Sequence, residues 1–332
     1  MNAKRHVLAG LCVIALAGAA QAEPLKIRGS WVAPVSNWGS IWLEKKDLAT
    51  HFGQSYVFES SRYAGTPPMI TAMANNELEI GDLAYSTLPI AIENAGMDDI
   101  RVVADEFQDG FPGYRVDDYQ VLADGPIQKV EDLKGKVIAT NAMGSGVDVA
   151  LRAMLRKHGL EANRDYTVVE APFPGMRAML AEKKVDLIPT VLPFALDPEL
   201  KKIARPLFNL TDAIGVSQFA MWAMRKPFID KNHAAIVDFM EDTMRIERWY
   251  LDPKNHDAVA AIASRITKQP PERFGWLFTK ADYYRAPDMR PDLVALQKNV
   301  DMTKDLGFVK KSFDVKSHSD LSLVEEAAKR QK

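Results

Sequence analysis

The sequence predicts an α/β protein built from two lobes with a helical tail, and three observations support this. Short apolar strands alternate with helical patterns early in the chain, which is typical of βαβ units and a mostly parallel sheet. A stretch rich in glycine, proline and charge interrupts the alternation at residues 107–118. A second α/β run follows, and from Pro227 onward the pattern is mostly helical. Two such runs joined by chain crossings indicate hinged lobes with a ligand in the cleft between them.

Each predicted strand is a short apolar run bounded by glycine, proline or polar residues. In chain order they are expected at residues 25–30, 56–60, 80–84, 101–105, 119–123, 136–140, 166–170, 187–189 and 217–224. The predicted helices begin at a capping residue or carry apolar residues on one face. They are expected at residues 35–50, 65–75, 88–95, 147–158, 175–182, 234–250, 257–266 and 321–332.

The first 22 residues are typical of a secretory signal peptide. A positively charged start and a short apolar core at residues 7–19 precede a small-x-small motif at residues 20–22, so cleavage is expected before Glu23. The apolar core is too short to span a bilayer comfortably. We therefore expect a periplasmic protein, exported through a cleaved signal peptide.

The composition excludes several classes of function. A formal net charge of −2 gives no electrostatic attraction to nucleic acid. The only cysteine is Cys12, inside the predicted signal peptide, so we expect neither a disulfide nor a thiolate-bound metal in the mature chain. The histidines show no metal-ligand spacing, and no G-x-S-x-G, P-loop or H-E-x-x-H motif occurs. We expect no metal and no cofactor.

The stretch most informative about function is a helix start within residues 130–160. A small-residue loop, Gly144-Ser145-Gly146, stands between a predicted buried strand and the helix at 147–158. The free backbone N–H groups and the positive dipole end of such a helix can hold an anion. The alternative interpretation is a plain helix cap in which the glycines only ease the turn.

Three stretches carry a resemblance to a known family. They are YAGTPPMITAMANNELEIGDLAYSTLPIAI at 63–92, VEDLKGKVIATNAMGSGVDVALRAMLRKHGL at 130–160, and VVEAPFPGMRAMLAEKKVDLIPTVLP at 168–193. In the first and third, a helix ends in a polar turn and a short strand follows, with Gly81-Asp82 in the first stretch. The chain resembles the periplasmic substrate-binding proteins of ABC importers in the nitrate/sulfonate/taurine group, which have the type II periplasmic-binding fold.

The resemblance implies an organisation and a function. Residues 23–118 plus 223–332 would form the first lobe, and residues 119–222 the second. A monomer would capture a small organic anion (a sulfonate, a taurine-like compound or a carboxylate) and deliver it to a permease and ATPase complex in the inner membrane. No bond would be made or broken. Ligand would lie at the carboxyl ends of the strands, where open α/β sheets hold their ligands.

The candidate ligand-binding residues come from the loops at those strand ends. Polar candidates that can donate or accept a hydrogen bond are Ser36, Asn37, Thr66, Ser86, Thr87, Ser145, Thr190 and Gln218. Aromatic candidates that can wall the pocket are Trp31, Trp38, Tyr63, Tyr85, Phe173 and Phe194. The remaining candidates, Met143, Gly144 and Gly146, belong to the loop before the helix at 147–158. The loop at 85–87 opens the matching helix of the first lobe, so the two helix starts are expected to hold one anion between them.

Several alternatives stay open at this point. Any of the aromatic candidates can be a core residue, and any of the serines and threonines an ordinary cap. The sequence does not say whether Arg62, Arg115 or Arg177 faces the cleft. The same fold hosts enzymes such as those resembling thiamine-pyrimidine synthases, and it also serves ligand sensors. The aromatic candidates favour a ligand larger than nitrate.

Overall fold

The structure, a computed structural model, describes residues 23–331. The predicted signal peptide at residues 1–22 lies outside the described residues. The strands are β1 Leu25–Trp31, β2 Tyr56–Arg62, β3 Gly81–Ala84, β4 Ile100–Asp109, β5 Asp118–Leu122, β6 Val137–Thr140, β7 Thr167–Glu170, β8 Ile188–Thr190, β9 Ala204–Asn209 and β10 Ser217–Arg225. The helices are α1 Trp38–Ile41, α2 Pro67–Ala74, α3 Thr87–Glu93, α4 Gly146–Lys157, α5 Phe173–Ala181, α6 Pro198–Ile203, α7 Leu210–Ile214, α8 Lys226–Leu251, α9 His256–Thr267, α10 Leu293–Asp305 and α11 Ser322–Arg330.

The sheet of the first lobe has the strand order β2-β1-β3-β10-β4. β1 and β2 are parallel, and a parallel bridge between Gly29 and Ile80 connects β1 to β3. β10 lies between β3 and β4 and is antiparallel to both. Among the described strands of this sheet, only β10, which returns from the second lobe, is therefore antiparallel to the others.

The sheet of the second lobe repeats this topology in the order β7-β6-β8-β5-β9. β6 and β7 are parallel, a parallel bridge between Ile138 and Leu187 adds β8, and β5 is antiparallel to β8 and β9. Here the opposing strand is β5, which enters from the first lobe. The α/β fold and the mostly parallel sheets that the sequence predicts are confirmed, with one crossing strand inserted in each sheet.

The pairing places the second chain crossing earlier than we predicted. All of β10, from Ser217, pairs with β3 and β4 of the first sheet. Residues 217–222, which the sequence assigned to the second lobe, are therefore built into the first. The predicted division at 222/223 falls inside this strand because an apolar run does not show which sheet it joins.

The first lobe has an aromatic core behind its sheet. The Trp42 ring centroid lies 5.1 Å from that of Phe58 and 5.7 Å from that of Phe239 on α8, and its Nε1 donates to Thr243 Oγ1 at 3.0 Å. This packing holds the long helix α8 against one face of the first sheet. The strands of that sheet are therefore rigidly supported. Within residues 23–331, no helix is both long enough and apolar enough to cross a membrane.

Candidate ligand cavity between the lobes

A narrow cavity of about 50 Å³ lies between the lobes, at the carboxyl ends of strands from both sheets. Loops that follow β1, β2, β6 and β8 border it, together with β3, β10 and the first turns of α4 and α5. Its lining residues are Val32, Ala33, Ser36, Asn37, Thr66, Asp82, Ala84, Phe107, Asn141, Ser145, Gly146, Val147, Phe173, Val191, Leu192, Phe219, Ala220 and Tyr283. The lining is mainly apolar with a few polar groups, which is the usual character of a small-molecule site. Among the described residues, no lysine, arginine or histidine belongs to it.

Six of the predicted residues line this cavity. They are Ser36, Asn37, Thr66, Ser145, Gly146 and Phe173. Three come from the first lobe and three from the second, so the sequence identified part of each wall. Whether they contact a ligand stays a prediction.

The start of α4 holds its own serine in place. Ser145 Oγ accepts the Asp148 N–H at 3.4 Å as the helix N-cap and donates to Asn141 Oδ1 at 2.8 Å. The Gly144 N–H donates to Asp148 Oδ2 at 2.8 Å, and the Met143 N–H donates to Glu170 Oε1 at 2.5 Å. These two N–H groups are therefore occupied by the protein's own carboxylates.

Two backbone donors of α4 remain. The N–H groups of Gly146 and Val147 meet no acceptor within the described part of the chain, and both residues line the cavity. They belong to the first turn of a helix of 12 residues, where N–H groups lack an intrahelical partner. These two groups are therefore the backbone donors of this loop that remain for an anion, and the predicted anion binding stays a prediction.

The matching helix start of the first lobe does not face the cavity. Tyr85 Oη donates to the Gly146 carbonyl at 2.7 Å, and Ser86 Oγ donates to the Gly144 carbonyl at 2.8 Å. Thr87 Oγ1 donates to the Ala84 carbonyl at 2.8 Å. The three side chains are fully buried. We expected the loop at 85–87 and the start of α4 to hold one anion between them. The two instead bond to each other directly, because the carbonyls of Gly144 and Gly146 point toward the first lobe.

The wall contributed by the first lobe contains polar atoms without partners. Ser36 Oγ, Thr66 Oγ1 and Asp82 Oδ1 are buried and make no hydrogen bond within residues 23–331. Asn37 differs from them, since its Oδ1 accepts the N–H groups of Val32 at 3.1 Å and Ala33 at 2.8 Å and so shapes the loop after β1.

Burial also changes the ionisation of Asp82. Loss of hydration raises the pKa of its carboxyl well above the usual value, and the neighbouring Glu106 raises it further. Glu106 accepts the Trp38 N–H at 2.5 Å, and burial raises the pKa of its own carboxyl to about 7. Among the described residues, Asp82 Oδ1 and Glu106 Oε2 are both buried without a hydrogen-bond partner, so the carboxyl in the cavity lining belongs to a pair of neighbouring buried acids whose pKa values are both raised.

Four predicted residues lie away from the cavity as packing or network residues. Trp38 stacks on Phe278 with ring centroids 5.1 Å apart. Gln218 Nε2 donates to Asp105 Oδ1 at 2.6 Å, and Thr190 Oγ1 donates to the Asp118 carbonyl at 2.9 Å. Tyr63 packs against the core at the end of β2.

Four more predictions are placed elsewhere by the fold. Met143 is 51% exposed, and Gly144 takes a left-handed turn with φ of 81° that directs its carbonyl to Ser86. Trp31 and Phe194 line a separate groove nearer the surface, which we call the outer cleft. Its lining residues are Trp31, Pro34, Arg62, Pro174, Pro193, Phe194, Leu196, Asp197, Ile266, Thr267, Gln269, Arg273, Phe274 and Trp276.

The structure also places the three arginines that the sequence left open. Arg62 lines the outer cleft, with its guanidinium 5.7 Å from the Trp31 ring centroid. Arg115 pairs with Asp118 at 2.8 Å, and Arg177 with Asp197 at 2.9 Å. Arg62 is the one that faces solvent in a cleft between the lobes.

The sequence missed several lining residues. Asp82 stood in the quoted Gly81-Asp82 motif, but a charged residue in a short strand does not by itself indicate a cavity. Phe107 and Phe219 lie on the strands next to the two crossings, where we saw only a loop and a buried strand. Tyr283 comes from a segment without regular structure; its hydroxyl donates to Asp117 Oδ1 at 2.7 Å and accepts the Leu192 N–H at 2.9 Å.

Comparison with known families identifies the group to which the chain belongs. The NMT1-like family matches residues 20–264, well over half of the chain. The chain belongs to the NMT1-like family. The resemblance to the nitrate and sulfonate receptors is confirmed as well, since solved structures of that kind share the fold. Among the curated proteins, no sequence matches the chain.

Two binding proteins illustrate the structural similarity. The alkanesulfonate-binding protein SsuA from Xanthomonas axonopodis pv. citri, bound to MOPS, has a TM-score of 0.70 at 19% identity, covering 90% of this chain and 99% of that chain. The periplasmic nitrate-binding protein NrtA from Synechocystis PCC 6803 has a TM-score of 0.70 at 15% identity, covering 93% and 90%. At these identities the similarity shows the fold alone.

One similar structure is an enzyme. The desulfurization enzyme DSZB has a TM-score of 0.65 at 13% identity, covering 93% of this chain and 100% of that chain. A cysteine-to-serine variant of it in complex with biphenyl-2-sulfinic acid is also similar. The fold is therefore compatible with both binding and catalysis, and the side chains of the cavity must decide between them.

Proposed function

We propose that this protein is the periplasmic solute-binding component of an ABC importer. It captures a small organic anion, a sulfonate or a carboxylate, in the cavity between its lobes and delivers it unchanged to a permease and ATPase complex. Two structural neighbours, an alkanesulfonate-binding protein and a nitrate-binding protein, support a binding role. We further propose that the mature protein acts as a monomer.

The observation that carries this proposal is the distribution of unpartnered polar groups. Ser36 Oγ and Thr66 Oγ1 on the first lobe, and the N–H groups of Gly146 and Val147 on the second, surround one cavity. An unpaired buried polar group costs about 1–3 kcal/mol, so a ligand that satisfies several of them recovers that free energy on binding. All four groups can donate a hydrogen bond, which favours an acceptor-rich ligand such as a sulfonate or carboxylate.

Closure of the lobes supports binding between them. Tyr85 and Ser86 of the first lobe donate to carbonyls at the start of α4 in the second, and Asn141 Nδ2 donates back to the Ala64 carbonyl at 3.1 Å. These bonds form only when the lobes meet. Polar contacts of this kind can form when a hinged receptor closes over its ligand and break when it opens to release it.

A thermal-shift screen tests the proposal. Alkanesulfonates, carboxylates and nitrate are compared with neutral compounds of matched size, because a ligand that binds only the folded state raises the melting temperature. The expected result is a shift for members of the anion set, one ligand per chain in titration calorimetry, and full recovery of the compound after incubation. A shift confined to neutral or cationic compounds would contradict the anion class.

An enzyme is the second candidate, favoured by the similarity to DSZB. Release of sulfite or another product from a bound sulfinate or sulfonate, detected by chromatography, would support it over transport. We expect none, since the only cysteine of this chain lies in the predicted signal peptide.

A further inference from the structure

We propose that the ligand extends from the cavity into the outer cleft, and that Arg62 binds a second anionic group at its far end. This inference rests on the proposed function and specifies its substrate class: an elongated organic dianion, such as a dicarboxylate or a sulfonated carboxylate. The outer cleft has a volume of about 420 Å³, against about 50 Å³ for the cavity. The larger of these two spaces therefore lies outside the cavity that holds the unpartnered donors.

The cavity has room for one acidic group and little more. A water molecule needs about 10–15 Å³ of such space, so about 50 Å³ accommodates a group of roughly four heavy atoms. A carboxylate or sulfonate group is of that size, and its oxygens match the donors that surround the cavity. The rest of an organic anion must therefore extend out of the cavity.

The cavity and the outer cleft are neighbours, because the same loops border both. In the loop after β1, Val32 lines the cavity and Trp31 lines the outer cleft. On the second lobe, Phe173 lines the cavity and Phe194 lines the outer cleft, and the two rings stack with their centroids 5.9 Å apart. A ligand that leaves the cavity past this pair therefore enters a space lined by aromatic side chains from both lobes.

Arg62 is held at the carboxyl end of β2, beside this space. It is the register partner of Trp31 at the end of the parallel strand β1, and the Tyr63 N–H donates to the Trp31 carbonyl at 2.8 Å. The Arg62 Nε donates to the Val32 carbonyl at 3.4 Å, and the guanidinium lies 5.7 Å from the Trp31 ring centroid. Since open α/β sheets hold their ligands at the carboxyl ends of their strands, the pairing of β1 with β2 places this guanidinium where a ligand can reach it.

The other charges of the outer cleft leave Arg62 available to an anion. The charged residues of its lining are Arg62, Arg273 and Asp197. Asp197 pairs with Arg273 at 3.9 Å and with Arg177 at 2.9 Å, whereas no carboxylate of the described residues pairs with Arg62. A guanidinium can bind a carboxylate or sulfonate through two parallel hydrogen bonds. The outer cleft therefore offers a second anion-binding group in addition to the donors of the cavity.

Titration calorimetry with matched probes at one ionic strength tests the inference. The first set is terephthalate, monomethyl terephthalate and benzoate; the second is adipate, monomethyl adipate and hexanoate. Each dianion should bind roughly tenfold more tightly than its monomethyl ester, because the ester keeps the length of the probe and removes its second charge. Arg62→Gln should abolish that preference. Arg101→Gln is the matched control: it removes a positive charge from β4 of the same lobe, outside the lining of the cavity and of the outer cleft, and should keep the preference.

The outcomes separate this inference from the proposed function. If the wild type binds each monoester as tightly as its dianion, or if Arg62→Gln keeps the preference for the dianion, the Arg62 inference is overturned and anion binding stands. The same conclusion follows if no probe of either set binds while a smaller anion of the thermal-shift screen does. If those anions also fail to bind, both proposals are overturned. The wild-type comparison does not depend on whether Arg62→Gln folds.

Discussion

The two walls of the cavity differ in how their polar groups are satisfied. On the second lobe, Asn141 and Ser145 bond to each other, and Asn141 also holds the Ala64 carbonyl across the cleft. On the first lobe, Ser36, Thr66 and Asp82 are buried without partners. We propose that this difference reflects a division of roles, in which side chains of the first lobe select the ligand and the second lobe supplies a prefolded helix start and an apolar cover.

The largest expected effect comes from preventing closure. A Cβ added at Gly65 would lie 2.8 Å from both the Ala142 Cβ and the Asn141 Nδ2 of the other lobe. Overpacking of this kind costs about 1–3 kcal/mol, so Gly65→Ala should weaken ligand binding by roughly ten- to a hundredfold in titration calorimetry. Because the clash lies across the cleft and not within either lobe, the melting temperature without ligand should change little.

Gly175→Ala is the matched control for that variant, since a Cβ there meets no atom within 4 Å. It should bind as the wild type does. Equal affinities for the two alanine variants would mean that the lobes do not need to meet at Gly65 for binding.

Two tyrosine hydroxyls allow the effect of lobe closure on affinity to be separated from an effect on stability. Tyr85 Oη donates across the cleft to the Gly146 carbonyl, and Tyr119 Oη donates within the second lobe to the Val147 carbonyl at 2.7 Å. A hydrogen bond contributes about 1 kcal/mol net, so Tyr85→Phe should lower ligand affinity about fivefold. Tyr119→Phe should lower the melting temperature and leave affinity near that of the wild type, as measured by calorimetry. The reverse pattern would refute the assignment of Tyr85 to closure.

The smallest effect on binding is expected at the helix cap. Ser145→Ala removes an N-cap worth about 1 kcal/mol and should lower the melting temperature measured by differential scanning calorimetry. Ligand affinity should change less than about twofold, because the Ser145 hydroxyl is already engaged by Asn141 and Asp148 and the remaining donors are backbone groups. A large loss of affinity without loss of stability would instead mean that the Ser145 hydroxyl contacts the ligand.

Much of the fold could be predicted from the sequence. Apolar strands and capped helices predicted the order of most elements in both lobes, because their periodicity reflects local burial. The segment 198–214 was missed because α6, β9 and α7 are short and β9 contains Pro206 next to Arg205, a pattern that does not resemble a strand. β4 was predicted too short for a related reason: Glu106, Gln108 and Asp109 are polar but fully buried in it.

The site was harder to predict because it depends on pairings across the cleft. The role of Ser145 as a cap was readable from Asp148 three residues later, a spacing typical of helix starts. The contact of Tyr85 and Ser86 with the start of α4 could not be predicted, because no local sequence pattern indicates that these two loops, far apart in the sequence, bond to each other. Asp82 stood in the Gly81-Asp82 motif, but its place in the cavity lining and beside Glu106 depends on the fold and could not be predicted from neighbouring residues in the sequence.

Titration calorimetry on two threonine variants tests the central claim most directly. Thr66 and Thr211 each have a buried Oγ1 without a partner in the described structure, but only Thr66 lines the cavity. With a ligand found in the anion screen, Thr66→Val should bind roughly tenfold more weakly than the wild type, through loss of one hydrogen bond, and Thr211→Val should bind equally well. Equal affinity of Thr66→Val and the wild type would contradict the claim that the first lobe selects the ligand in this cavity.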